Sequence, residues 1–190
     1  MKTILAVLFI FCLTLGIGTA YAANLSDGRG AYASSDNWSS PGYPPSNAFD
    51  EDNGTWCAMI NSNPYLQVDL GANYYITGYD FYNGNTNESP DVFYLQGSTD
   101  GINFYNIHYG VYHNTNTYDV TFAADGPYRY IRFLVTSKDY YASINEFNIY
   151  GYAIPTYTVS FNSNGGSAVG SQTVSENATA STPTSPTKPN

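Results

Sequence analysis

Apolar and polar residues alternate along this chain in short runs, with a period of two. In LQVDL, Leu66, Val68 and Leu70 share one side while Gln67 and Asp69 share the other, as in a strand that buries one face. Similar runs are AYASS from Ala31, YYITGYDFY from Tyr74, VFYLQGS from Val92 and INFYNIHYG from Ile102. YDVTF from Tyr118, YRYIRFLVT from Tyr128 and INEFNIYG from Ile144 complete the series. Turn chemistry separates them: Gly71-Ala72-Asn73 closes LQVDL, and Thr99-Asp100-Gly101 and Asp125-Gly126-Pro127 mark tight reversals. No long window holds a helical apolar period without Gly, Pro or Asn interrupting it. The pattern predicts an all-β domain, a sandwich or barrel whose inward faces close one core.

Two segments fall outside that pattern. Lys2 followed by the apolar run Ile4 to Gly18 and the small residues before Ala23 reads as a signal peptide, residues 1–22. The expected β-domain is 24–152, and no stretch after the leader is apolar enough for membrane insertion. Composition shifts at Ala153-Ile154-Pro155, and 153–190 holds two short strand-like runs, YTVSF and SAVGSQTVS, before a Thr/Pro-rich tail that reads as linker or disorder.

Charge then narrows the partners. Six Lys+Arg stand against fifteen Asp+Glu, for a net charge of −9. A phosphate-backbone binder needs a basic footprint, so nucleic acid is disfavoured, and anionic membranes likewise. Cys12 leaves with the leader, so Cys57 has no disulfide partner in the chain and reads as a buried, inert thiol.

The chemistry concentrates in SNAFDEDNGTW, Ser46 to Trp56. Asp50, Asp52, Asn53 and Thr55 offer oxygens to a hard cation, and calcium is the ion that such donors suit. Glu146 is the only acid in the closing strand, and a cation bound by the loop explains its place. An ordinary solvated acidic loop is the bland alternative.

In order, AYASS, NAFDEDNGTW, YLQVDLG, ITGYDFY, FYLQGSTDGINF, YRYIRF and ASINEFNIYG resemble a discoidin domain, the F5/8 type C, galactose-binding-like pattern of family 32 carbohydrate-binding modules. The resemblance implies an eight-stranded jelly-roll sandwich with its termini close together and a ligand site on the loops at one end. It also implies a structural calcium held by Asp50, Asp52 or Asn53, Thr55, backbone oxygen near Ala48, and Glu146. Two departures stand out: Glu51 occupies a position where Gly is usual, and Thr55 abuts Trp56 where one residue normally intervenes.

For a glycan, the resemblance points to aromatic platforms at Tyr140 and Tyr141, before the last strand, and at Trp38 and Tyr43 in the first long loop. Asn83, Asn85, Asn87 and Asp36 are the polar partners expected there. The 83–91 loop lacks the Arg that galactose-binding relatives supply, so galactose is not assumed. The tail is similar to the first half of the Listeria-Bacteroides (internalin B-type) repeat of bacterial surface proteins, carried by TVSFNSNGGSAV.

No nucleophile elbow, Cys-His pair or zinc triad is present in the sequence. The reading is a secreted or cell-surface, non-catalytic binding module for glycan or polysaccharide, stabilised by calcium and accompanied by other domains of a larger surface protein. The alternative is an adhesin or spacer that contacts protein without a sugar site.

Overall fold

The computed structural model describes residues 23–33, 42–84, 87–112, 115–138 and 140–188. They form two compact units, which divide at Ala153/Ile154. The expected signal peptide lies outside the described residues, and no helix among those described is long and apolar enough to cross a membrane.

Among the described residues the larger unit carries nine strands: β1 (Ala23–Asn24), β2 (Ala31–Ala33), β3 (Cys57–Met59), β4 (Tyr65–Tyr82), β5 (Val92–Ser98), β6 (Tyr105–Val111), β7 (Thr117–Ser137), β8 (Ala142–Ile144) and β9 (Glu146–Ala153). One 3-10 turn, Pro45–Phe49, precedes β3. A single sheet runs β1-β9-β4-β7-β5-β6 with β2 also on β4, and β3 pairs separately with β8. Every pairing is antiparallel.

Two long strands turn this one sheet into a sandwich. The sequence predicts a break at Gly71-Ala72-Asn73, yet β4 continues through it, with register shifts against β7 between Asp69 and Gly78. Gly71 takes φ 79 there, and Gly126 takes φ 130 in the facing part of β7, conformations that glycine adopts without steric cost. The first half of β4 pairs with β2 and the late part of β7. Its second half pairs with β9 and the early part of β7. Bulges of this kind bend a strand and let it change layers.

Alternation decides what lies between the layers. Leu66, Val68, Ile131, Phe133, Phe93 and Leu95 come from one layer, and Tyr79, Phe81, Phe147 and Ile149 from the other; all are buried. Phe133 meets Phe81 and Phe147 at centroid distances of 5.4 and 5.3 Å. Aromatic pairs in such offset and edge geometries add to the area they bury. Tyr79 keeps its hydroxyl satisfied at 2.9 Å from His108 Nδ1, and burial lowers the His108 pKa. That histidine is a core-edge partner and not a ligand. Cys57 is buried, as expected.

The smaller unit holds β10 (Thr156–Val159) and β11 (Gln172–Ser175), paired antiparallel. The tail, read as linker or disorder, has fixed partners: the Ser181 amide donates to Gln172 Oε1 at 2.8 Å and the Thr187 amide to Ser167 Oγ at 2.9 Å.

Candidate functional site

Sheet topology gathers three loops at one end of the larger unit. They precede β3, follow β4 and precede β9, and their backbones are stitched together. The Ser143 amide donates to Glu88 O at 2.8 Å, and the Asn145 amide to Tyr82 O at 2.9 Å. Asn145 is the central brace. Its Oδ1 accepts from the Gly84 amide at 2.7 Å, while its Nδ2 donates to Asn53 O at 3.0 Å. One side chain thereby ties the oxygen-rich loop to the loop after β4.

Those braces frame a cleft of about 350 Å³, lined by Asn53, Gly54, Trp56, Tyr82, Gly84, Glu88, Ser143 and Asn145. The volume is in the range of small-ligand sites. Trp56 is half-buried and packs on Tyr43, with ring centroids 4.7 Å apart and planes at 32°. That contact fixes the indole plane at the edge of the cleft. Glu88 is positioned by Ser143 Oγ, which donates to its Oε2 at 2.8 Å. A ring plane, a second aromatic, one oriented carboxylate and two amide side chains can take an apolar face and several hydroxyls together.

The expected ligand residues distribute unevenly around this cleft. Tyr43 supports it from behind Trp56. Asn83 is a correction: its side chain is fully buried, and Nδ2 donates to Glu88 O at 3.3 Å. It braces the loop and presents nothing to solvent. Tyr140 is 71% exposed and meets Tyr141 edge-on at 4.6 Å, but neither lines the cleft. Trp38, Asn85 and Asp36 lie outside the described residues. Sequence reasoning passed over Trp56, Glu88, Ser143 and Asn145. The available signal was Trp56 itself, an aromatic directly after the oxygen-rich loop.

Next to the cleft sits the expected cation site. Thr55 Oγ1 donates to Asp50 Oδ2 at 2.9 Å and contacts Asp52 O at 3.1 Å. Asp52 turns its carboxylate onto the Gly54 amide at 2.8 Å, and its own amide donates to Asp50 Oδ1 at 3.0 Å. Ala48 is buried in the 3-10 turn. Asn53 O accepts from Asn145, as above. Glu51 takes φ 61, the left-handed conformation that favours glycine, which explains why glycine suits this position.

Glu146 completes the group from β9. It is buried, and its Oε1 has no hydrogen-bond partner among the described residues. Burial, reinforced by the hydrogen bond and charge of the neighbouring Asp50 carboxylate, pushes its pKa up to about 7, although the Asp52 and Glu51 amides favour the ionised form. An orphaned buried carboxylate oxygen facing a second carboxylate fits a hard cation. Among the described residues no three His, Cys, Asp or Glu side chains form a metal cage. The donor set therefore comprises two carboxylates, Thr55 Oγ1 and backbone carbonyls, with the Asp52 carboxylate committed to the turn.

Comparison with known proteins identifies the scaffold. Residues 30–147 match the F5/8 type C domain. The chain belongs to the F5/8 type C domain family. Residues 157–190 match the Listeria-Bacteroides repeat domain. No curated protein matches the chain. Among solved structures, chitosan-binding module 1 of a chitosanase/glucanase from Paenibacillus sp. IK-5 is 25% identical, with 68% of this chain and 99% of that one covered and a TM-score of 0.59. The family 32 carbohydrate-binding module of NanJ from C. perfringens, in complex with galactose, is 20% identical over 68% and 98%, with a TM-score of 0.60. Chitosan-binding module 2 of the Paenibacillus enzyme, in complex with chitotriose, is 22% identical over 67% and 100%, with a TM-score of 0.59. The F5/8 type C unit thus has the galactose-binding-like jelly-roll fold of family 32 carbohydrate-binding modules.

Proposed function

We propose that the chain is a secreted, non-catalytic carbohydrate-binding module whose sugar site is the cleft between Trp56, Tyr82, Glu88 and Asn145. The observation that carries this is the cleft's composition: a fixed indole beside an oriented carboxylate and amides, with Asn145 bracing the loops around it. That neighbouring folds include modules solved with galactose and with chitotriose supports a sugar as the occupant. Calcium is proposed as a structural ion between Asp50 and Glu146, with Thr55 and backbone oxygens filling its shell. It would neutralise two adjacent carboxylates and clip β9 to the loop before β3, without touching the sugar. The Listeria-Bacteroides repeat match supports a place in an extracellular or surface protein with further domains.

A glycan array probed with multivalent full chain, in calcium and in chelator, tests this. Binding to at least one glycan class, lost in Trp56→Ala, is expected. A blank array at high valency would leave the adhesin or spacer reading in its place.

A further inference from the structure

The outward side of one sandwich layer carries a second patterned surface, away from the loop cleft. Strands β4, β7, β5 and β6 lie side by side. Their register places Tyr65 beside Leu134, Leu134 beside Tyr94, and Tyr94 beside Tyr109. Tyr65, Leu134 and Tyr94 alternate with buried neighbours, so they face away from the core. Tyr109 is 54% exposed, and its ring lies 5.3 Å from that of Tyr94. A solvent-facing antiparallel layer normally shows polar residues outward. An apolar row crossing four strands is instead the mark of a contact surface.

The adjacent row is polar and pre-ordered. Gln67 aligns with Arg132, Arg132 with Gln96, and Gln96 with Asn106. The Arg132 guanidinium lies 3.9 Å from the Tyr65 ring centroid and 3.6 Å from that of Phe104. Its Nε and Nη2 donate to Gln67 Oε1 at 3.1 and 2.8 Å. That partner is neutral, and among the described residues Arg132 makes no ion pair. Gln96 Nε2 donates to Asn106 Oδ1 at 2.8 Å, which orients both amides.

Charge selects the occupant. The chain holds three arginines, Arg29, Arg129 and Arg132, against a net charge of −9. Arg129 bonds Asp69 at 2.7 and 2.8 Å, and Arg29 acts on the same carboxylate. Arg29 and Arg129 thus share one acid on β4, two residues from Gln67, the partner of Arg132. Three of the six basic side chains of an acidic protein therefore lie on or beside this stretch of β4 and β7. Flat rings beside amides suit the apolar faces and hydroxyls of sugars, and a guanidinium with no ion pair among the described residues suits a carboxylate. A polyphosphate backbone calls for more cations than this.

We propose that this sheet face is a second binding surface, for a glycan chain bearing carboxylates. The sugar rings stack along Tyr65, Tyr94 and Tyr109, with a carboxylate on Arg132. The surface shares no residue with the cleft, so either can operate without the other.

The test is affinity electrophoresis of the full chain in gels containing polygalacturonate, neutral galactomannan or single-stranded DNA. Retardation by polygalacturonate alone is expected, weakening as salt is raised. Tyr94→Ser/Tyr109→Ser and Arg132→Gln should each weaken it about tenfold or more, and Trp56→Ala should not. Tyr109→Ser alone, an exposed change, should give a smaller loss without altering the melting temperature. No retardation by polygalacturonate would overturn the proposal, as would equal retardation by DNA. Loss through Trp56→Ala would return the ligand to the cleft. A dimer in light scattering that the tyrosine variants dissolve would make the face a self-association surface.

Discussion

Glu146 and Asp50 bring two carboxylates together from β9 and the loop before β3, with Glu146 Oε1 buried and unpartnered among the described residues. In metal-free protein this is a liability, because a buried carboxylate prefers to be neutral. Bound to a cation it becomes a clip. Calcium should raise the melting temperature, since an ion held only by the folded state stabilises it. Glu146→Gln should abolish that rise while leaving the metal-free protein at least as stable as wild type at neutral pH. Thermal melts with calcium and with chelator check both; an unchanged wild-type melt would remove the ion.

The same pair sets a pH dependence. Glu146 has a folded-state pKa raised from 4.5 to about 7. Between those values the folded form holds a proton that the unfolded form has released, so metal-free stability declines as pH rises across that window. Calcium needs the ionised form, so its stabilisation should grow across the same window. Melts at pH 5 and pH 7.5 with chelator should show the decline, and Glu146→Gln should flatten it. A metal-free profile without this component would mean that the carboxylate is solvated.

Glu51 offers an independent check of the loop geometry. A non-glycine residue at φ 61 pays a steric penalty of about 1 kcal/mol. Glu51→Gly should stabilise the protein by up to about that amount in urea unfolding, less what glycine loses in the unfolded chain. Marked destabilisation would contradict the left-handed loop.

Asn145→Ala should behave oppositely. It strands the Gly84 amide and the Asn53 carbonyl, at a cost of about 1–3 kcal/mol. It should also weaken glycan binding, because both bonds shape the cleft. Asn145→Asp keeps the acceptor for Gly84 and loses the donor to Asn53, so it should fall between Ala and wild type. Binding and unfolding measured on all three separate the two bonds.

The strands were legible because each buries one face, so LQVDL, VFYLQGS and YRYIRFLVT declare themselves by alternation. Their fusion was not. Gly71 reads as a turn, yet here its positive φ serves a bend inside β4, and only pairing with β7 and β9 distinguishes the two. The oxygen-rich loop was equally visible, since acids, Asn and Thr cluster in few other places in the chain. The cleft was not, because Trp56, Glu88 and Asn145 lie far apart in sequence and converge only through β-pairing. Asn83 shows the converse error: a polar residue in a polar loop reads as exposed, but its amide is consumed in closing that loop on Glu88. A tyrosine-rich chain also dilutes the aromatic signal: Tyr140 and Tyr141 stand out in the sequence, while the ring that lines the cleft beside Tyr82 is Trp56.

The central claim is that a sugar occupies the cleft beside Trp56. The chain has two tryptophans, Trp38 and Trp56, so Trp38→Phe leaves a single indole reporter. Titrating that variant with the strongest array glycan while following tryptophan emission is the most direct measurement. A saturable shift or quench, with the affinity found by calorimetry, is expected. Calorimetric binding with silent Trp56 emission would place the sugar elsewhere and contradict the cleft assignment.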